Sequence, residues 1–286
     1  MPLTRPAPVA LPQSWYTAST NNVRTSSGKL IIEARDEAGA DRAAVQQQCW
    51  DECGARCARS LPRQEARGCT ASCGQRRCPL VRFTSGRVTT YGKFSVAPSA
   101  RYRTVRVEAR MRLPHGRGLW PAFWMLPAEG SASCSGCGAY GGWPASGEID
   151  IVEAFNTATE TYGSVHFGGP QDCVDSAAAA IAPGFHTFGI EWEQQEIRWY
   201  VDGRLSHTAR SKTVAPNGWW SGGHGARSSS PFDRPFYLII NLAVGGLPLG
   251  SPSPDAVAAV MARGKRRLVV DFVRVLGRSQ GAAVVA

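Results

Sequence analysis

Residues 146–155 read SGEIDIVEAF, so Glu148, Asp150 and Glu153 fall close together in a segment otherwise built from Ile, Val, Ala and Phe. Those apolar, largely β-branched neighbours predict a strand. In a regular strand Glu148 and Asp150 share one face and Glu153 points to the other. One extra residue at Ile151–Val152, a β-bulge, restores Glu153 to the face of its two partners. Three acids on one face repel, so at least one must keep its proton towards neutral pH. Double-displacement cleavage of a glycosidic bond needs such a set. One carboxylate attacks the anomeric carbon while another carboxylic acid protonates the leaving oxygen, from ~5–5.5 Å away. Glu148 and Glu153 start ~13–16 Å apart along the strand, and the bulge with their long side chains must close that gap. Asp150 lies between them, suited to orient the nucleophile and to tune a shared proton. The plain alternative is an edge strand whose acids are simply solvated.

Tryptophan spacing supports the chemical reading. In residues 118–127, GLWPAFWMLP, Trp120 and Trp124 fall on the same side of a strand, and Trp143 precedes Glu148 by a few residues. Indole faces stack on the apolar C–H surfaces of sugar rings, and aromatic-lined clefts are common binding sites. The competing role for each is to fill the core. His166, in GSVHF, is a candidate hydrogen-bond partner for a substrate hydroxyl or a catalytic acid, although a lone histidine is more often a satisfied core or surface residue. His115, His186, His207 and His224 have no acidic or serine context that suggests catalysis.

The elements that must hold these groups read as β-structure. Candidate strands are 29–34, 82–90, 92–96, 103–113, 119–125, 148–155, 163–167, 186–193, 196–201, 204–210, 236–243 and 267–275, separated by Gly, Pro and Ser turns. Residues 103–113 alternate strictly, with Val105, Val107, Ala109, Met111 and Leu113 on one face. Asp202-Gly203 between two such runs is a strong hairpin signal. Many short strands with little helix predict an all-β fold, a two-sheet sandwich or jelly roll. Residues 221–231 read as a flexible loop, and residues 1–13 and 277–286 as tails.

The chain has 286 residues and a hydrophobic content of 43%, enough for one large domain with a real core. No apolar run approaches the ~18–20 residues of a membrane helix. The net charge of +10 is spread as arginine from Arg5 to Arg278, with short clusters at Arg76–Arg77 and Lys265–Arg267. Nucleic-acid binding usually needs one concentrated patch, so it is not expected. A basic surface attracted to anionic cell-wall polymers accounts for the charge more simply.

Nine cysteines suggest an oxidising compartment, although no export signal is visible in the first residues. Six of them lie in residues 37–79, an Ala- and Arg-rich insertion with good helix formers. Cys49, Cys53 and Cys57 recur every four residues, Cys69 and Cys73 repeat the spacing, Cys78 follows, and Ser60-Leu61-Pro62 forms a natural turn between the halves. If both halves are helices folded back on each other, the nested bridges are Cys57–Cys69, Cys53–Cys73 and Cys49–Cys78. Spacing alone does not dictate connectivity. Zinc ligation is the rival, against which stand the absence of C-x2-C spacing and of a nearby histidine.

The segment SGEIDIVE resembles the E-x-D-x-x-E motif of glycoside hydrolase family 16, in its laminarinase-like branch. TSGRVTTYGKFSV (84–96), VRVEARMRLPHGRGLWPAFWMLP (105–127), FHTFGIEWEQQEIRWYVDG (185–203), FYLIINLAVGG (236–246) and VVDFVRV (269–275) resemble the same family, in its order. The resemblance covers residues 14–36 and 80–276, leaving 37–79 as a disulfide-rich insertion in place of a short loop. It implies a concanavalin-like β-jelly roll with a cleft across its concave sheet. It also implies Glu148 as nucleophile, Glu153 as acid/base and Asp150 as the assisting carboxylate. Trp120, Trp124, Trp143 and His166 then correspond to cleft residues, and Asn241 to a polar group near the subsites. The expected reaction is endo-hydrolysis of β-1,3 or mixed β-1,3-1,4 glucan. A transglycosylase and a non-catalytic glucan-binding protein on the same fold are the alternatives, and binders usually lack one or more of the carboxylates that are intact here.

Some members bind a structural calcium ion, but no acidic cluster here demands one, and no cofactor is expected. The expected partner is the polysaccharide itself, bound by a monomer outside the cell or in its wall. Members usually carry more residues ahead of the point matching Trp15, so opening strands are expected to be missing. Cys134, Cys137 and Cys173 fall in loops expected to border the cleft, which suggests a bridge from Cys173 to Cys134 or Cys137, leaving one thiol free.

Overall fold

The computed structural model describes residues 14–37, 47, 49–51, 53–55, 57–58, 65, 69, 82–129, 136–157, 159–169, 172–223, 225–227, 229–246, 249, 252–264 and 266–279. In chain order the strands are β1 (Ser14–Tyr16), β2 (Val23–Ser26), β3 (Lys29–Glu33), β4 (Arg35–Asp36), β5 (Phe83–Ser85), β6 (Arg87–Thr89), β7 (Thr104–Arg112) and β8 (Leu119–Pro127). They continue with β9 (Glu148–Glu153), β10 (Glu160–Gly168), β11 (Asp172–Ala180), β12 (His186–Trp192), β13 (Glu196–Val201), β14 (Arg204–Arg210), β15 (Phe236–Val244) and β16 (Arg267–Arg278). Helix α1 (Pro254–Ala262) precedes β16.

A six-stranded sheet in the order β11-β10-β9-β8-β15-β6 packs on a seven-stranded sheet in the order β14-β13-β12-β7-β16-β3-β2, and a small sheet β1-β5-β4 flanks them. This is the expected all-β sandwich of jelly-roll type. Alternation explains how the two large sheets meet. In β7, Val105, Val107, Ala109 and Met111 point inward, while Arg106 and Arg110 on the outer face pair with Glu191 and Asp271. In β8, Leu119, Phe123 and Met125 enter the same core, which leaves Trp120 and Trp124 for the opposite face. Strand β15 is buried along its whole length, because Phe236, Leu238, Ile240, Leu242 and Val244 fill the core and Tyr237 and Ile239 pack on its other side. The Asp202-Gly203 turn joins β13 to β14 with positive φ at both residues, 50° and 77°, as the hairpin signal requires.

Several sequence expectations are corrected. Residues 92–96 form a turn with one isolated bridge, Val96 to Phe236, rather than a strand. Strand β11 and helix α1 were not expected at all. Strand β11 is a DCVDSAAAA segment of low β-propensity, held by pairing with β10 along its whole length. Helix α1 carries ordinary start signals, with Ser253 capping the Ala256 amide, Pro254 opening it and Asp255 in the first turn.

In the insertion, residues 47, 49–51, 53–55, 57–58, 65 and 69 are helical. Cys57 and Cys69 are bridged. Cys49 and Cys53 are also disulfide-bonded, whereas the expected partners Cys78 and Cys73 lie outside the described residues. The bridge expected at Cys173 does not form. Cys173 stands opposite Phe167 and packs against the sandwich core, turned away from the cleft loops, and its thiol is free. Cys137 is disulfide-bonded, and Cys134 lies outside the described residues.

Candidate active site

The bulge forms where the sequence requires it. Against β8, Asp150 stands opposite Trp124 and Val152 opposite Phe123, so Ile151 is the extra residue. Against β10 the register steps from Ser164–Asp150 to Tyr162–Glu153, leaving Gly163 facing both Ile151 and Val152. Both of those side chains enter the core. Glu153 thereby returns to the face of Glu148 and Asp150, on the outer side of the six-stranded sheet.

A residue of the opposite sheet holds the distortion. Trp199 of β13 is 2% exposed, and its indole N–H donates to the Asp150 carbonyl at 2.7 Å. The ring lies so close under Gly163 that a Cβ there would meet its Cδ1 at 2.3 Å. Glycine opposite the bulge is therefore a packing requirement. The indole gives the carbonyl a buried partner.

Each glutamate is held by an indole. Trp143 Nε1 donates to Glu148 Oε2 at 2.7 Å, and Trp120 Nε1 donates to Glu153 Oε1 at 2.8 Å. Trp143 is 46% exposed, and Trp120 and Trp124 are half-buried, so none of the three is simply core filling. Trp120 continues into an aromatic run through Phe155 to Tyr162. Trp124 Nε1 donates to Asn241 Oδ1 at 2.6 Å, Asn241 Nδ2 donates to the Tyr16 hydroxyl at 3.1 Å, and the Arg87 guanidinium lies 5.2 Å from the Trp124 ring centre. The groove thus runs across the sheet from Tyr16, Asn241 and Trp124 to the carboxylates and on to β10 and β11.

Asp150 is buried, at 1% exposure. Among the described residues neither of its oxygens meets a donor in good hydrogen-bond geometry. Its nearest charged neighbour is His166, whose Nε2 lies 3.3 Å from Oδ2. Ligating atoms of Glu148, Asp150 and His166 lie within 4.8 Å of one another. Burial drives the Glu148 carboxyl well above its ordinary range, and the Asp150 charge adds to the rise, while His166 and the Trp143 hydrogen bond pull it back. Burial also raises Asp150, helped by Glu153, against a hydrogen bond with Glu148 that lowers it. Glu153 is raised by burial and lowered by the Trp120 bond. Three buried carboxyls pushed upward, two of them sharing a hydrogen bond, hold protons rather than all ionising. The arrangement can place an ionised carboxylate and a protonated carboxylic acid on one wall.

The structure brings together Glu148, Asp150, Glu153, Trp120, Trp124, Trp143, His166 and Asn241. Sequence reasoning missed Trp199, Gly163, Tyr16, Arg87 and Asp172. Trp199 acts from the other sheet, and Asp172 sits on a strand that propensity does not reveal.

The model of the glycosyl hydrolases family 16 matches residues 68–223, more than half of the chain. Glucan endo-1,3-beta-glucosidase A1 of Niallia circulans is 32% identical over 275 residues, covering 91% of this chain and 31% of that protein. The beta-glucanase of Rhodothermus marinus is 38% identical over 202 residues, 68% of this chain and 62% of its own length. The chain therefore spans about a third of the first relative and less than two thirds of the second. Among solved structures, the endo-beta-1,3-glucanase from Pyrococcus furiosus matches 94% of this chain and 81% of its own, with a TM-score of 0.62 and 31% identity. With its two-sheet architecture and its bulged motif strand, the chain belongs to glycosyl hydrolases family 16.

Proposed function

We propose that this protein is a retaining, endo-acting glycoside hydrolase that cleaves internal β-1,3 or mixed β-1,3-1,4 bonds of a glucan. The observation that carries the reading is the bulge, which sets Glu148, Asp150 and Glu153 on one face with an indole donor on each glutamate. In the first step the Glu148 carboxylate attacks the anomeric carbon while Glu153 passes its proton to the leaving glycosidic oxygen, giving a glycosyl ester on Glu148. In the second step Glu153, now ionised, takes a proton from water, and the resulting attack releases the sugar with its original configuration. Asp150 carries the shared proton when Glu148 is ionised and hydrogen-bonds to it, which lets the nucleophile form without a second bare charge beside it. The raised Glu153 carboxyl suits a group that must be an acid near neutral pH. The names of the relatives support glucan as substrate. Disulfide bonds support an oxidising, extracellular setting.

The test is product analysis on laminarin with the wild-type chain and two variants. Shortened fragments whose first-formed reducing ends are β support the reading, whereas longer transfer products or unchanged polymer sink it. Glu148→Ala with added azide should yield a glycosyl azide. Glu153→Ala should keep activity on substrates with activated leaving groups, and equal losses on every substrate would remove Glu153 from the acid role.

A further inference from the structure

His166 is held from both sides. Its Nδ1 lies 3.1 and 3.0 Å from the two carboxylate oxygens of Asp172, and its Nε2 lies 3.3 Å from Asp150 Oδ2. The Trp143 ring packs 5.7 Å from the imidazole, centre to centre. Asp172 opens β11 opposite Gly168, whose lack of a side chain leaves the neighbouring face of β10 to His166. The charged groups around the imidazole are Glu148, Asp150 and Glu153 on β9 and Asp172 on β11. No part of the two-step reaction described above uses Asp172.

We propose that Asp172 is a positioning residue, which fixes a proton on His166 Nδ1 and so aims Nε2 at Asp150, holding one further proton at that contact beside Glu148. The inference rests on the hydrolase reading only in naming Glu148 as the group served. The chemistry follows from the two contacts. An ionised carboxylate against Nδ1 requires an N–H there, and the lone pair of a neutral ring then falls on Nε2. Nε2 and a carboxylate oxygen attract only when a proton lies between them, whether formally on nitrogen or on oxygen. No described residue gives either Asp150 oxygen a well-aligned donor, so the close His166 nitrogen and the proton of the neighbouring Glu148 carboxyl are what answer its charge. The chain Asp172–His166–Asp150 therefore keeps positive charge next to the nucleophile, and this charge favours the ionised form of Glu148.

Asp172→Asn separates this role from a mere surface charge, because the two move the acid limb of kcat/KM in opposite directions. Deleting a simple anion near Glu148 makes ionisation easier and shifts the limb to lower pH. Losing the positioning residue ends the demand for an N–H at Nδ1, so the ring keeps a single proton, on Nε2 against Asp150, and the imidazolium charge beside Glu148 is lost. The limb then moves to higher pH by about one unit, with kcat lower by on the order of tenfold. Asp172→Glu should restore most of both. An unmoved or lowered limb, or a loss confined to KM, overturns the proposal. A second arm needs no turnover. Nitrogen-15 NMR of the His166 ring, assigned by its loss in His166→Gln, should show Nδ1 protonated in the wild type and unprotonated in Asp172→Asn. A neutral wild-type ring protonated only on Nε2 refutes the proposal even if the glucanase reading stands.

Discussion

Gly163→Ala tests whether the opposite sheet holds the motif strand in its bulged shape. The added Cβ would lie 2.3 Å from Trp199 Cδ1 and 2.8 Å from both Cγ and Nε1. Ordinary contact needs about 1 Å more, so either the indole or β10 must move by that amount. Trp199 is buried in the core, and the cavity it shares with Gly163, Ile151 and Phe188 holds only about 10 Å³, too little for a displaced indole. A shift of about 1 Å also lengthens its 2.7 Å bond to the Asp150 carbonyl beyond hydrogen-bond range. Overpacking costs about 1–3 kcal/mol, and a buried donor and acceptor left unpaired costs a further ~1–3 kcal/mol. A loss of about 2–6 kcal/mol in urea unfolding is therefore expected. Laminarin turnover, measured below the transition on molecules that remain folded, should fall by at least ~10-fold, because Asp150 and its neighbours lose their alignment. Trp199→Phe removes the bond without the clash and should show a smaller stability loss with a comparable drop in turnover. If Gly163→Ala stays within ~0.5 kcal/mol of the wild type and keeps its activity, the account of the bulge is wrong.

Asp150→Asn should stabilise the fold while impairing turnover. Burial raises the Asp150 carboxyl in the folded chain, so the native state binds more protons than the unfolded one and stability falls as pH rises through and above the ordinary carboxylate range. The amide has no such dependence, so a gain of about 1–3 kcal/mol at pH 7 that shrinks as pH is lowered towards 4 is expected in thermal or urea unfolding. A gain that grows on acidification would contradict the direction of the shift. Tyr16→Phe removes the hydroxyl that accepts from Asn241 and should raise KM for laminarin a few-fold with kcat little changed, as suits a bond worth about 1 kcal/mol remote from the reacting atoms. A fall in kcat alone would place Tyr16 elsewhere in the cycle.

The face of three carboxylates was legible because period-two alternation left only one way to put both glutamates in one cleft. The same periodicity turned Trp120 and Trp124 outward from β8. The bridge from Cys57 to Cys69 is the one expected if two helices fold back across a Pro-containing turn, a condition that spacing alone did not supply. What stayed hidden depends on tertiary partners. Asp172 belongs to an Ala-rich edge strand that β10 templates, and the role of Trp199 depends on which sheet packs beneath the bulge. The Cys173 bridge failed because strand alternation turned the thiol inward, a face that the loop-based expectation had not considered. Helix α1 announced itself through Ser253, Pro254 and Asp255, but Ala-rich sequence between glycine turns diluted the signal.

Strand β1 carries a consequence for how such grooves diversify. Its three residues face three ways: Ser14 Oγ accepts from the Val244 amide, Trp15 packs beside Cys49 and Cys53 of the cysteine-rich insertion, and Tyr16 reaches Asn241. The carboxylate end of the groove is carried by β9, inside the six-stranded sheet. Its remote end rests on a short strand packed beside a cross-linked insertion. Changes in that insertion are therefore expected to reach the far rim through Trp15 and Tyr16 and to leave the carboxylates of β9 in place.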